Sequence, residues 1–556
     1  MKKGLDLNRR EFIASTAIGA TVAATAKKSF ARPDQREPDT RPNIVFIMVD
    51  QHNPHYFGYA GHPVVRTPNI DRLAKSGLNF QKAYCGNPLC MPSRAGVFTG
   101  LTTRGHRARM NGVTLDPDIP TFTDELRKSG YRTKAVGKLH FGSAVKPADI
   151  PLENISTKDF PELALFWKRG IVKDLPLPYY GFESVDLANG HSFGSYGHYL
   201  HWLDKDFPKE AKLLHDAVPL TEPTRAYKLY NRNSFKWALP EELHPTRWIG
   251  DKTVDAINTA AKSKEPFFIF SSFQDPHPPF APPEPWCNRY DEREVPPAIA
   301  KEGELDNLPP HYKLQRDTNI VTQGTNGEPM SWTDPYRNEC VAHYFGLIEM
   351  LDVEVGKILA SLEKNGLDKN TIVIFTADHG EAVGDHGMWG KGPYHIDSVI
   401  RVPLLISAPG RFEDGKTLSE VVSLLDIAPT IYEAAGINFS PPGKEAPNAP
   451  GVLAGKSLMP LLLEAREEGK RRNVLIEEDE DYLGFRMRTL VNDRYRMTAY
   501  SGQPYGELFD MQEDPNEFRN LWNEPGTKSI KADLKDELLD KIMETDHPLP
   551  RQTARS

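Results

Sequence analysis

Residues 44–50 read Ile-Val-Phe-Ile-Met-Val-Asp, six apolar side chains in succession closed by an acid. A strand with one wet face alternates apolar and polar residues, so an unbroken run indicates a strand buried on both faces, as in a parallel sheet. Similar runs recur at 133–136, 267–273, 371–376 and 402–407. Between them the period changes to that of a helix. Thr67-Pro68-Asn69-Ile70 places an N-cap residue before a proline at the first helical position, and Gly77 closes that helix. Val341, Tyr344, Phe345, Ile348, Leu351, Val355, Ile358, Leu359 and Leu362 keep helical spacing over 337–362, and Gly366 stops the helix. Strands alternating with helices predict an α/β fold: a large, mainly parallel or mixed sheet covered by helices on both faces.

In such sheets ligands bind outside the carboxyl ends of the strands. Asp50, Lys138, His277 and Asp378 all fall just past a predicted strand. Two stretches read as loops able to wall a pocket: 179–202, rich in glycine and aromatics, and 276–313, rich in proline and charge. A proline-rich linker is expected at 440–454. Beyond it, 473–478, 485–500 and 507–511 read as short antiparallel strands, followed by a charged amphipathic helix over 529–544. The expected division is an export segment at 1–31, a polar linker at 32–40, a catalytic domain at 41–455, and a smaller C-terminal α+β subdomain at 456–556.

At 556 residues the chain can bury a large core. Its net charge of −8 gives no basic footprint, so nucleic acid is not an expected partner. Four cysteines (Cys85, Cys90, Cys287 and Cys340) exclude a disulfide framework. Asn8-Arg9-Arg10-Glu11-Phe12-Ile13 resembles a twin-arginine export signal, followed by a weakly apolar run over 13–26. That run is too short and too rich in Ala, Thr and Gly to span a membrane. Cleavage fits after Ala26 or Ala31, giving a periplasmic or secreted protein whose partners include an export machinery.

Residues 88–100 read Pro-Leu-Cys-Met-Pro-Ser-Arg-Ala-Gly-Val-Phe-Thr-Gly. Pro92 suits the first turn of a helix, which puts Cys90 at the helix's positive end beside Arg94, a cradle for chemistry on a sulfate or phosphate. The plainer readings are a buried inert cysteine or, with Cys85, half of a zinc knuckle that no second ligand pair completes. The Cys-x-Pro-x-Arg of this segment resembles the signature of the formylglycine-dependent (type I) sulfatases of the alkaline-phosphatase superfamily. Met91 is bulkier than the residue usual at that position. Further motifs follow in family order. Residues 130–140, ending Gly137-Lys138-Leu139-His140, resemble the second signature, with Leu139 in place of an aromatic. Pro276-His277-Pro278 resembles the segment of the active-site histidine, 371–380 the second metal strand, and Lys391 the sulfate-binding lysine. Asp426-Ile427-Ala428-Pro429-Thr430 and 507–515 resemble the C-terminal landmarks.

The resemblance implies that a maturation enzyme oxidises Cys90 to formylglycine, whose hydrate attacks sulfur and then, through its second hydroxyl, releases sulfate. It implies metal ligands at Asp50, Gln51, Asp378 and His379, together with the residue at 90. Hard oxygen donors favour calcium, with manganese as runner-up because of the histidine. Gln51 and His379 depart from the family's commoner acid and asparagine, and similar pairs occur in choline-sulfatase-like and phosphonate-monoesterase-like branches. Gln51 and His379 could also simply hydrogen-bond locally. Arg94, Lys138, His140 and Lys391 are expected around the sulfate oxygens, with His277 as general acid and His140 as the base that frees the product. The expected activity is hydrolysis of sulfate esters on a carbohydrate, the partner being a sulfated oligosaccharide or small molecule. The alternatives are a phosphonate or phosphate monoester hydrolase, a sulfamidase, and, if Cys90 stays a thiol, a non-catalytic binding protein.

Overall fold

In chain order the strands are β1 (Asn43–Val49), β2 (Leu78–Tyr84), β3 (Arg132–Gly137), β4 (Ser184–Asn189), β5 (Tyr196–Gly197), β6 (Phe267–Ser272), β7 (Thr371–Ala377), β8 (Arg401–Val402), β9 (Leu404–Ser407), β10 (Lys416–Ser423), β11 (Asn473–Asp479), β12 (Arg486–Asn492), β13 (Tyr495–Tyr500) and β14 (Gly506–Asp510). The computed structural model describes residues 41–147, 149–217, 233–318, 335–412, 415–438, 453–464, 473–481 and 483–546. The expected export segment, the linker at 32–40 and nearly all of the proline-rich linker at 440–454 lie outside the described residues. Thr40–Ser556 forms one compact unit.

The large sheet runs β10-β2-β9-β7-β1-β6-β3-β4-β5, with β8 on β2. Its middle is parallel: β1 pairs with β7 and β6, β6 with β3, and β3 with β4. Every residue of β1, β6 and β7 is buried, whichever face it points to, so both faces are covered. That double burial explains why these strands are continuous apolar runs. The register sets Val49 against Ala377 and Gly137 against Ser272, so the residues that follow all emerge at one edge.

Three departures from the sequence reading have physical causes. The run at 402–407 is two strands, not one, because Pro403 cannot donate to a ladder. Of these, β9 runs antiparallel to both β7 and β2, which makes the sheet mixed. The stretch 179–202 is not all loop: it holds β4, β5 and the start of the helix His198–Asp206. In β4, buried Val185 and Leu187 alternate with half-exposed Ser184 and Asp186, a signal too short to stand out among glycines. Thr67 does not cap the helix Pro68–Lys75 with its side chain. Its hydroxyl donates instead to Asp71 (2.9 Å). The cap comes from the helix Pro335–Lys364, whose buried Asp352 accepts from the N–H groups of Asn69 (3.0 Å) and Ile70 (2.8 Å).

The C-terminal strands form a second sheet in the order β11-β12-β13-β14, antiparallel throughout. The helix Lys528–Glu544 adds Leu534 and Leu538 to its core. This sheet also reaches toward the chemistry. The Glu477 N–H donates to Gly86 (3.0 Å), and the Asn87 side chain donates to the Glu477 carbonyl (2.6 Å). Asn87 then accepts from the Leu89 N–H (2.9 Å), immediately before Cys90.

Candidate active site

Cys90 opens the helix Cys90–Thr99, all of whose residues are buried. The turn before it is held by Asn87, and the turn after it by Asn111, which accepts from the Met91 N–H (3.0 Å). Met91, the bulky departure, is absorbed: its sulfur accepts from the Gly112 N–H at 3.0 Å. The Cys90 Sγ lies 3.0 Å from Lys391 Nζ, 3.3 Å from His379 Nε2 and 3.7 Å from Asp50 Oδ1. Burial alone would raise the thiol's pKa, but Lys138 and Lys391 hold it well below its ordinary value.

Asp50 and Asp378 leave the paired ends of β1 and β7 and are fully buried. Asp50 accepts a close contact from Lys138 Nζ. Asp378 Oδ1 accepts from the N–H groups of Gln51 (3.1 Å) and His379 (3.0 Å), and its Oδ2 accepts from Arg94 Nε (2.8 Å). Burial and the Cys90 charge oppose ionisation of Asp50, but Lys138, His277 and Arg94 outweigh them and keep it well below the carboxylate range. Burial and the Asp50 charge push Asp378 up.

The donor set fits a divalent cation. One atom from each of Asp50, Cys90, Asp378 and His379 lies within 4.8 Å of the others. His379 Nδ1 lies 2.9 Å from the Gly380 carbonyl, which can only accept, so Nδ1 carries the proton. Nε2 therefore presents its lone pair 3.7 Å from Asp50 Oδ1 and 3.6 Å from Asp378 Oδ1. Gln51 stands beside this group. Its amide N–H donates to buried Glu381, and its oxygen accepts from Lys391 Nζ.

The remaining predicted residues converge on the same place. Arg94 is fully buried and serves protein groups: Nη1 donates to the Lys138 carbonyl (2.9 Å) and to Ser272 Oγ (2.8 Å), and Nη2 stands 3.9 Å from Asp50. The His277 and His140 side chains both lie close enough to Cys90 to interact with it. Burial, then Lys391, lowers His277 to about 4; burial, then Lys138, lowers His140 to about 4. His277 Nδ1 faces the Pro278 carbonyl at 2.5 Å, which leaves Nε2 for the site.

Three residues of the site carry no motif in the sequence. His191 Nε2 lies 3.0 Å from Lys138 Nζ, and its ring packs edge-on against His277 with centroids 3.4 Å apart. It lies in the 179–202 stretch expected to wall a pocket, and that placement was its only signal. Glu381 orients Gln51 and also accepts from the N–H groups of Val383 (3.0 Å) and Gly390 (2.6 Å), the latter just before Lys391. Glu162 gathers the backbone around His140. No helix among the described residues is long and apolar enough to cross a membrane.

The family model described as Sulfatase matches residues 42–167 and 189–437, and one described as N-sulphoglucosamine sulphohydrolase, C-terminal, matches 384–544. An arylsulfatase of Clostridium perfringens is 28% identical over 505 residues, covering 87% of this chain and 90% of its own. An N-acetylglucosamine-6-O-sulfatase of Bacteroides thetaiotaomicron is 24% identical over 586 residues, covering 94% of this chain and 89% of its own. The crystal structure of a phosphonate monoester hydrolase of Agrobacterium radiobacter shares the fold with a TM-score of 0.74 at 24% identity, covering 92% of this chain and 100% of that one.

Proposed function

This chain belongs to the sulfatase family of sulfate ester hydrolases, and from that premise we propose that it is an exported enzyme that removes sulfate from a carbohydrate. In this reading Cys90 is converted to formylglycine, and its Sγ stands where that group's oxygens would be. The observation that carries the proposal is the position of this one atom, within 3.0 Å of Lys391 Nζ and 3.3 Å of His379 Nε2, at the end of a buried helix. The carbohydrate is supported by the N-acetylglucosamine-6-O-sulfatase relative, and export by Arg9-Arg10.

Asp50, Asp378, His379 and the side chain at 90 would hold a calcium ion, with manganese as the next choice. Gln51 completes the set: Glu381 takes its N–H and so turns its oxygen to the side where Lys391 meets Cys90. When bound, the ion would supply positive charge to the nucleophilic and sulfate oxygens. The hydrated aldehyde would supply one hydroxyl to attack sulfur and a second to expel sulfate.

The chain's own groups do the rest. Lys138 and Lys391 neutralise the sulfate oxygens where charge gathers in the transition state. Arg94, tied to Asp378 and to the Lys138 carbonyl, keeps these groups in register. His277 Nε2 faces the nucleophile and hands a proton to the departing alkoxide, once the incoming anion has raised its affinity for that proton. His140 takes the proton from the second hydroxyl.

The test is a comparison of sulfate, phosphate and phosphonate esters of one leaving group, with converted enzyme in calcium and in manganese, followed by a screen of sulfated oligosaccharides. The sulfate ester should be turned over fastest, in calcium. Preference for the phosphorus esters would replace this reading with that of a phosphomonoester hydrolase. No turnover of any ester by fully converted protein would leave a binding protein.

A further inference from the structure

The path of the chain from Lys138 to Gly142 is not set by the sheet. Gly137 turns out of β3 at φ 97°. A Cβ there would lie 1.9 Å from the Ser272 carbonyl oxygen, so only glycine fits. His140 then adopts φ 58°, a left-handed conformation that disfavours any residue with a Cβ. Apart from Cys90, the imidazole has little of its own to hold it: Nδ1 is buried and has no hydrogen-bond partner among the described residues. Its direction must come from the backbone.

That backbone is claimed N–H by N–H. Leu139 donates to Asn189 Oδ1 (2.9 Å). His140 donates to Glu162 Oε2 (3.0 Å), and Phe141 (3.2 Å) and Gly142 (2.8 Å) donate to Glu162 Oε1. Three successive N–H groups curling around one anion form a nest, which a left-handed residue helps to shape. Two side chains complete the shell, the Tyr179 hydroxyl on Oε1 (2.7 Å) and Asn189 Nδ2 on Oε2 (2.6 Å). The carboxylate thus accepts five hydrogen bonds, and Glu162 is fully buried. Its own backbone is pinned as well: the Tyr196 hydroxyl donates to the Glu162 carbonyl at 2.8 Å.

We propose that Glu162 is a positioning residue of the reaction, an internal anion that folds residues 139–142 around itself and thereby aims the His140 ring at the group on position 90. Through Asn189 the same anion ties β4, whose following loop carries His191, to the loop that carries His140. Burial pushes the Glu162 carboxyl up and its hydrogen bonds oppose that; a carboxylate is required because every contact it makes is a donor, and a buried anion is tolerated only when so fully paired. The catalytic half of this proposal rests on the reading of His140 as a base. The clamp itself rests only on the contacts.

The experiment uses the full chain with Cys90 converted and calcium present, and Glu162→Gln as the variant. Glutamine keeps the volume but turns an N–H toward donors. The amides of 139–142 should exchange with deuterium at least about tenfold faster, while those of β1 and β7 are unchanged. The kcat should fall about 100-fold with KM within about threefold, as for a misaimed catalytic group. In a His140→Ala background the same change should cost less than about twofold, since both act as one unit. Unchanged exchange at 139–142, or a full loss repeated in the His140→Ala background, would overturn the proposal. A wild-type rate for His140→Ala itself would overturn the reading of the reaction instead, and the exchange result would still decide the clamp. If Glu162→Gln does not fold, Tyr179→Phe removes one of the five donors, and the same cycle should show a loss of about threefold.

Discussion

Two buried clusters of charge sit in this molecule, one at the rim of the parallel strands and one inside the small antiparallel sheet. In the second, Arg496 donates to Glu507 (2.9 Å) and to Glu517, Tyr312 donates to Glu507 (3.0 Å), and the Asp397 N–H donates to Glu517 (2.9 Å). Its guanidinium also lies 4.6 Å from the Phe509 ring centroid. Each carboxylate oxygen has a donor, and of this cluster's buried side-chain atoms Arg496 Nη2 alone lacks a hydrogen-bond partner among the described residues. At the rim, by contrast, Lys138, Lys391, Arg94, Asp50 and Asp378 crowd one sulfur atom. The buried nitrogens Arg94 Nη2, His140 Nδ1 and His191 Nδ1 have no hydrogen-bond partner among the described residues. A network whose anions are all paired serves the fold; one that leaves several buried nitrogens unpaired in one place is where a ligand completes the structure.

Breaking each cluster should therefore damage a different property. The largest effect is expected from Arg496→Met, which leaves two buried carboxylates facing each other. Urea unfolding should show a loss of about 3–5 kcal/mol, while the folded fraction keeps its kcat. Lys391→Ala should do the reverse: kcat/KM for a sulfate ester falls about 10²–10³-fold, with unfolding free energy within about 1 kcal/mol of the parent. If Lys391→Ala unfolds the protein and Arg496→Met silences it, the two clusters have been read the wrong way round.

Cation binding sharpens the same contrast. Saturating calcium at a hundredfold excess over its Kd should stabilise the protein by about 2.7 kcal/mol, because the unfolded chain offers no such site. A thermal shift should disappear in Asp378→Asn and persist in Arg496→Met. An equal shift in both variants would move the cation elsewhere.

Per unit of pH, a smaller effect is expected from a histidine outside both clusters. His343, buried in the helix Pro335–Lys364 and 2.5 Å from Ser234, is lowered by burial to about 4. Its folded pKa lies below the unfolded value of about 6.5, so the neutral ring is the form the fold accepts. Its stabilising contribution is present above pH 6.5 and is lost as pH falls from there toward 4. His343→Phe should flatten that part of the stability profile by about 1.4 kcal/mol per pH unit. An unchanged acid slope would show that this ring does not titrate on unfolding.

What could be read from the sequence follows the same division. The middle strands were visible because burial on both faces leaves an unbroken apolar run from Ile44 to Val49 in β1, and the strand-end positions of Asp50, Lys138 and Asp378 followed from them. Strands β2 and β10 were not visible, because Asn79 and Gln81, or Thr417 and Ser419, interrupt them on a wetter face. The ten motif residues converge, but Arg94 turned out to be spent on Asp378, Ser272 and a backbone carbonyl, which no spacing could show. Glu162, His191 and Glu381 were silent in the sequence for a simple reason. Each is a single polar residue in a loop, and only the folded chain brings it to the groups it serves.

The most direct test of the account is the mass of the peptide containing Cys90, taken from protein that has been matured and shown to hydrolyse a sulfate ester. The account predicts a peptide lighter than the thiol form and reactive toward a carbonyl reagent. An intact thiol, open to alkylation in the active protein, would contradict it.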